Sequence, residues 1–423
     1  MDYMPRIADA LLEGKLSSKG AVLVEGAKWC GKTTTALQHV GSVLYMQDPD
    51  NTGQNLEMAQ LRPSRLLQGK TPRLIDEWQM AENLWDAVRF EVDKRGKRGQ
   101  FVLTGSAVPP DLDKISHTGT GRIARITMRP MTLFESGESD GSVSLGALFA
   151  GADDVEGHSE RGVEDVAYCC CRGGWPGALG LQEGIALEQA VEYHESIVTS
   201  DISRVDSVSR SEERARGLLR AYARATGSQT SLASIRGDML ANDSQALSKD
   251  TVSSYAAALR KIFVLEDSPA WNPNLRSRTA IRTSATRYFT DPSIATAALG
   301  AGPEDLLDDL RTMGLVFENL CVRDLRVYAQ ALGGRVYHYR DRNGLECDAV
   351  LHRRDGSFGL VEVKLGGKEA VEEGAATLRK LAGNLDRPRM REPSFLLVVT
   401  ATGGYAYRRE DGVFTAPVTC LGP

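Results

Sequence analysis

No apolar run in the 423-residue sequence approaches the roughly 18 residues that a bilayer-spanning helix needs. The opening residues, Met-Asp-Tyr-Met-Pro-Arg, lack a basic segment followed by an apolar stretch, so no secretory signal is expected. Positive charge is not in excess either. The formal net charge is −5, which gives no global attraction to nucleic acid or anionic membrane and leaves any DNA contact to a local basic patch. Cysteine is scarce and odd in number, seven in the whole chain, which is no disulfide framework. Three of them, Cys169–Cys171, have no Cys or His partner at zinc-finger spacing and read as packed thiols. The six histidines are scattered and none is placed as a catalytic base, so a Ser/His/Asp hydrolase has no support. Internal repeats and low-complexity segments are absent from the sequence. What is there is an ordinary globular composition, 42% hydrophobic and 25% charged, long enough for two to three domains at roughly 150 residues each. These features together lead us to expect a soluble, reduced, cytoplasmic protein with no membrane partner.

The chain divides by pattern. Over its first 140 residues short β-rich runs alternate with helical stretches, as in a parallel α/β sheet. The runs are Ala21–Glu25, Ser42–Met46, Arg73–Ile75, Gln100–Leu103 and Arg122–Thr127. Gly137–Glu160 reads as a junction rich in Gly, Ser, Asp and Glu. Residues 160–300 read as helical, ending in three helices (Glu212–Thr226, Leu232–Ala241, Ser248–Ile262) and two short strands (Phe263–Glu266, Arg287–Thr290), the plan of a winged helix-turn-helix. Arg276, Arg278, Arg282 and Arg287 fall in its expected wing, where they would meet phosphates. In residues 306–423 a helix, Leu306–Leu332, precedes strand-like runs at Val336–Arg340, Cys347–Leu351, Leu360–Val363 and Phe395–Thr400.

Gly26-Ala27-Lys28-Trp29-Cys30-Gly31-Lys32-Thr33 fits the Walker A pattern, after an apolar run and before a helix that opens with Thr34. Its glycines let consecutive N–H groups face phosphate, Lys32 is placed to bridge the β- and γ-phosphates of ATP, and Thr33 to ligate Mg²⁺. Cys30, inside this loop beside Lys32, is expected to be a reactive thiol. A second apolar run ends in Asp76-Glu77. There the first carboxylate would hold Mg²⁺ and the second polarise the attacking water. Thr104, at the end of Phe101-Val-Leu-Thr104-Gly-Ser106, stands where a side chain can sense the γ-phosphate, and Arg122 is a candidate to stabilise charge on the transferring phosphoryl group of its own chain or a neighbour's.

These segments, with Arg129–Glu135, Gly173-Gly-Trp-Pro-Gly177, Tyr193–Val205, Thr251–Phe263 and Tyr288–Asp291, resemble in order a family of prokaryotic AAA-type predicted ATPases that carry a C-terminal domain of unknown function. The resemblance extends through Glu318, Asp348 and Glu362-Val-Lys364. In Asp348, 14 residues before Glu362-Val-Lys364, the chain also resembles the PD-(D/E)XK core of restriction-endonuclease-like enzymes. Glu362 and Lys364 share a strand face. Two carboxylates, Asp348 and Glu362, can hold Mg²⁺ while Lys364 orients water, and Glu318 is where that superfamily often places a further acid. The expected architecture is an α/β chain: a P-loop AAA-type sheet, a helical and winged-helix region, and a nuclease-like α/β domain. The expected function is an ATP-binding, Mg²⁺-dependent ATPase using ATP as a conformational switch, with DNA or a protein as partner and the oligomeric state open. Its alternatives are a Mg²⁺-dependent DNA endonuclease regulated by ATP and a non-catalytic nucleotide-gated DNA-binding scaffold.

Overall fold

Five apolar runs in the first third of the chain pair into one parallel sheet, β1 (Ala21–Glu25), β2 (Ser42–Tyr45), β3 (Arg73–Asp76), β4 (Phe101–Gly105) and β5 (Ile123–Thr127), in the order β2-β3-β4-β1-β5. The structure is a computed structural model and describes residues 3–108, 119–206, 208–242, 248–272, 284–385 and 391–423. Central β1 and β4 are buried almost throughout, which is why they read as unbroken apolar stretches rather than alternating ones. One face of the sheet carries Leu23, Ile75, Phe101 and Leu103 onto Trp78, Leu84, Trp85 and Val88. In register, Glu25 of β1 lies beside Gly105 and Thr127. All five strands therefore end at the same side of the sheet, where loops of parallel α/β folds bind ligands. Among the described residues no helix is long and apolar enough to cross a membrane.

The chain packs as two units. The first comprises Met1–Pro130, Thr199–Ser211 and Ala257–Val264, and the second Met131–Val198, Glu212–Ala256 and Leu265–Pro423. In the second, β6 (Val143–Ser144), β7 (Gly157–His158), β8 (Gly334–Arg340), β9 (Glu346–Arg353), β10 (Phe358–Lys364), β11 (Phe395–Thr400), β12 (Tyr405–Arg408), β13 (Phe414–Pro417) and β14 (Leu421–Gly422) form a seven-stranded sheet, β7-β12-β13-β11-β10-β9-β8, and a small β14-β6 pair. The segment expected to be a junction thus supplies two strands. Each is two residues long and carries no readable period. The long helix expected from Leu306 is split into Pro303–Asp308 and Leu310–Ala331, because the Asp309 carboxylate caps the second by accepting the Arg311 and Thr312 N–H groups. Helices occur at Glu212–Arg224, Leu232–Asn242 and Lys249–Lys261, near the expected bounds. In place of the two expected wing strands the described residues make isolated antiparallel bridges, Leu265↔Phe289 and Ser268↔Thr286. Arg276, Arg278 and Arg282 lie outside the described residues. Arg287 is described, and its guanidinium is paired with Asp267 at 2.7 Å.

Two motifs of the middle region meet on a buried charge network. Arg323 lies between Asp291 (2.8 Å) and Asp324 (2.7 Å), and all three side chains are almost fully buried. Asp291 also accepts the Gly174 N–H, and Asp324 the Leu133 N–H. Gly174 admits no side chain, since a Cβ there would lie 2.1 Å from the Met131 carbonyl oxygen. Arg323→Ala leaves two buried carboxylates without their cation. The substitution should cost about 3–5 kcal/mol, read as a lower urea midpoint for the second unit, and an unchanged midpoint would contradict this account.

Candidate functional site

The Walker loop curls at the end of β1. Gly26 adopts φ +156°, and a Cβ there would stand 1.9 Å from the Met128 carbonyl oxygen, so only glycine lets the loop pass so close to the next strand. Trp29 (φ 63°) and Gly31 (φ 97°) continue the turn into the helix Lys32–Leu37. The Lys32 ammonium is buried and donates to the Ala27 carbonyl at 2.7 Å, which holds it inside the curl. Arg6 clamps the outside of the loop, donating to the carbonyls of Cys30 (2.8 Å) and Arg129 (2.9 Å). No sequence motif announces that residue, 20 positions upstream of the loop.

Asp76 is the convergence point. Its Oδ1 accepts from the Thr33 hydroxyl at 2.7 Å and the Thr104 hydroxyl at 2.6 Å, and its side chain is buried. Thr104 reaches this place because β4 lies between β1 and β3. Glu77 follows in the left-handed conformation (φ 55°). Ser106 donates to Glu77 at 2.9 Å and the Gln79 amide donates to the same oxygen. Ser106 closes the Phe101–Ser106 segment read from the sequence, but neither it nor Gln79 is given a role of its own there.

Four expected residues sit differently. Arg122 precedes β5 at the opposite end of the sheet, where its carbonyl accepts the Ala21 N–H, and its guanidinium pairs with Asp93 at 2.8 Å. The structure therefore does not bring it to the phosphate loop of its own chain. Cys30 is fully buried, its thiol directed at the Met128 carbonyl (3.4 Å), so packing overrides the reactivity expected from its place in the loop. Lys28 points to Asp201, at 2.5 Å, in the π-helical turn Ile197–Asp201. Thr34 is exposed on the first turn of the following helix.

The C-terminal acids also converge. Pairing of β9 with β10 stops at Val361↔Ala349, one residue before Asp348 and Glu362. There the Asp348 carboxylate accepts the Val363 N–H at 2.8 Å in place of a ladder bond. Lys364 lies 3.3 Å from Glu362, whose other oxygen is buried with no hydrogen-bond partner among the described residues. Glu318, on the helix Leu310–Ala331, receives the Tyr288 hydroxyl. Burial and then the Asp348 charge hold both Glu318 and Glu362 well above the usual carboxylate range. Burial raises Asp348, opposed by the Val363 N–H and Lys364. Burial works against the Lys364 ammonium, but Glu362 and Asp348 outweigh it and raise its pKa. Three carboxylates thus share one lysine, an arrangement that favours uptake of protons or of a cation. Among the described residues no group of three or more acidic, thiol or imidazole side chains is disposed to hold a metal ion.

The three adjacent cysteines are buried, and burial raises Cys169 and Cys171 to about 12 and Cys170 well above the usual thiol value. Residues 163–305 match a domain of unknown function (DUF8612), and residues 313–421 match another (DUF4143). No curated protein matches the chain. A similar solved structure is the Walker-type ATPase paby2304 of Pyrococcus abyssi, 14% identical, with a TM-score of 0.42 and coverage of 70% of this chain and 96% of that one. Residues 18–136 match the family described as AAA domain, and with the loop, the strand order and the Thr33–Asp76 contact they make this segment a P-loop nucleotide-binding fold of the AAA type.

Proposed function

We propose that the chain is a Mg²⁺-dependent ATPase that uses ATP as a conformational switch. The observation that carries this reading is the meeting of Thr33, Asp76 and Thr104 at one carboxylate oxygen beside the Lys32 loop. A hydroxyl and a carboxylate 2.7 Å apart are the donor pair that a phosphate-bound Mg²⁺ takes in P-loop enzymes. Mg²⁺, when bound, neutralises charge on the β- and γ-phosphates. The chain's own residues do the rest. Lys32 leaves the Ala27 carbonyl for phosphate oxygen, and the loop N–H groups cradle the phosphates. Glu77, steadied by Ser106 and Gln79, takes the proton of the attacking water. Lys28, tethered to Asp201, ties the loop to the segment 199–211 of the same unit, a route by which nucleotide is felt beyond the site. Arg122 is exposed, so a role for it lies toward a neighbouring molecule. The test is phosphate release from ATP by purified protein with Mg²⁺. Lys32→Ala should abolish both ATP binding and release, and turnover retained in that variant would defeat the proposal.

A second reading is favoured by the split between β9 and β10. The order helix, β8, β9, β10, helix, β11, with Asp348, Glu362 and Lys364 at the split, supports a restriction-endonuclease-like domain that takes a divalent cation and cuts DNA under control of the ATPase. Asp348 and Glu362 would hold the cation, Glu318 would share its charge, and Lys364 would orient water. A scaffold that binds DNA or protein without chemistry is the outcome in which neither phosphate release nor nicking is seen.

A further inference from the structure

A cavity of about 380 Å³ opens in the second unit, beside the carboxylate cluster but not part of it. Its floor is the sheet face that carries Thr400 of β11 and Thr415 of β13, one wall is the start of the helix Lys368–Asn384, and Tyr405 and Tyr407 of β12 stand at its rim. Register places these groups on one face with the candidate site. Lys364 is beside Thr400, Glu362 beside Val398, Val398 beside Thr415, and Thr415 beside Tyr407.

Four properties define the ligand that fits. First, the helix Lys368–Asn384 is 17 residues long and begins at Gly367 with no side-chain cap, so its leading N–H groups and the positive end of its dipole face the cavity. Second, the Thr415 hydroxyl lines the cavity, the residue is 4% exposed, and the hydroxyl has no hydrogen-bond partner among the described residues. A buried hydroxyl left unpaired is costly and is satisfied by a ligand acceptor. Third, the one acid of the lining, Glu372, is engaged by Arg409 at 2.7 and 3.1 Å, and Arg409 also holds Asp411 at 3.2 Å. The lining thus carries two cations, Lys368 and Arg409, against this single acid, and both act on its charge. Fourth, Tyr405 is 66% and Tyr407 45% exposed on alternate positions of one strand, so both present the same face, the Tyr405 ring tilted against His158 at 5.0 Å. An anion-favouring helix end, a hydroxyl donor and two aromatic faces within one cavity match a phosphate joined to a planar base. The volume lies in the range of small-ligand pockets.

We propose that this cavity binds a nucleoside phosphate, free or as one unit of a single-stranded nucleic acid, with the phosphate at the helix start near Thr415 and the base on Tyr405 or Tyr407. The inference does not rest on the nuclease reading; it adds a ligand class next to that site. It is tested with the full chain carrying Lys32→Ala, which removes nucleotide binding at the Walker loop, in EDTA so that nothing is cut. The probe is a fluorescein-labelled ten-residue oligothymidylate followed by anisotropy, with thymidine monophosphate as competitor. Tyr405→Ala with Tyr407→Ala should weaken binding about tenfold or more. Lys368→Glu should weaken it by a similar factor and lower its salt dependence. Thr415→Val, which keeps the shape, should weaken it about fivefold. Equal competition by the monophosphate assigns a free nucleotide, and far tighter binding of the oligomer assigns a single strand; each supports the site. Unchanged affinity in all three variants, or no binding of either probe to the parent, overturns it. Asp348→Asn separates the two ideas, since it should leave this binding intact whatever it does to cleavage.

Discussion

Glu77→Gln should bind ATP with the affinity of the unaltered protein and release phosphate about 10²–10⁴-fold more slowly. The amide keeps the size of the carboxylate and still accepts from Ser106 and Gln79, so the fold around it has no reason to change. What it loses is the capacity to take a proton. Asp76 and Glu77 hold different partners, Thr33 and Thr104 against Ser106 and Gln79, so different duties are expected of them despite their being adjacent. ATP binding measured by nucleotide fluorescence, beside single-turnover phosphate release, distinguishes the roles. Turnover at the parent rate in Glu77→Gln would take the water-activating duty away from this residue.

The second large effect belongs to the C-terminal acids. Asp348→Ala should lower any divalent-dependent nicking of plasmid DNA by about 100-fold or more, since one of two carboxylate donors is gone. The same cluster carries a pH signature that does not depend on cleavage. Glu318, Asp348 and Glu362 all have native pKa values raised above their unfolded ones. Between the ordinary carboxylate range and those raised values the native state binds more protons than the unfolded state, so the slope of stability against pH is negative. Stability should fall as pH rises through that window, and Mg²⁺ or Mn²⁺ should restore it by binding the native state. Asp348→Asn keeps an acceptor for the Val363 N–H while removing one charge. It should flatten the pH slope and raise stability at pH 8 by on the order of 1 kcal/mol. Thermal melts across pH, with and without metal, read all of this. No metal-dependent shift together with no nicking would sink the nuclease reading and leave the fold as a docking platform.

Part of this protein was legible in the sequence because the relevant physics is local. Gly26 to Thr33 must wrap a backbone, and that requirement writes glycines at fixed spacing whatever else surrounds them. Fully buried parallel strands such as β1 and β4 print continuous apolar runs, and β9 and β10 carry their acids at readable positions. Where a side chain's partner is distant in the chain, nothing local recorded it. Arg6 on the Cys30 carbonyl, Asp201 on Lys28 and Tyr288 on Glu318 are pairings between residues 24, 173 and 30 positions apart. The same limit explains Arg122 and Cys30. Residue type and neighbourhood suggested chemistry for both, but the direction of β5 sends Arg122 to the far end of the sheet, and close packing beneath the loop turns the Cys30 thiol inward. Two-residue strands β6 and β7 are too short to show a period and are defined only by their partners, the equally short β14 and the longer β12. Residue types and spacings determined which chemistry this chain can support. Strand order and register decided which of those groups meet, because a hydrogen-bond ladder sets neighbours by position across strands rather than along the chain.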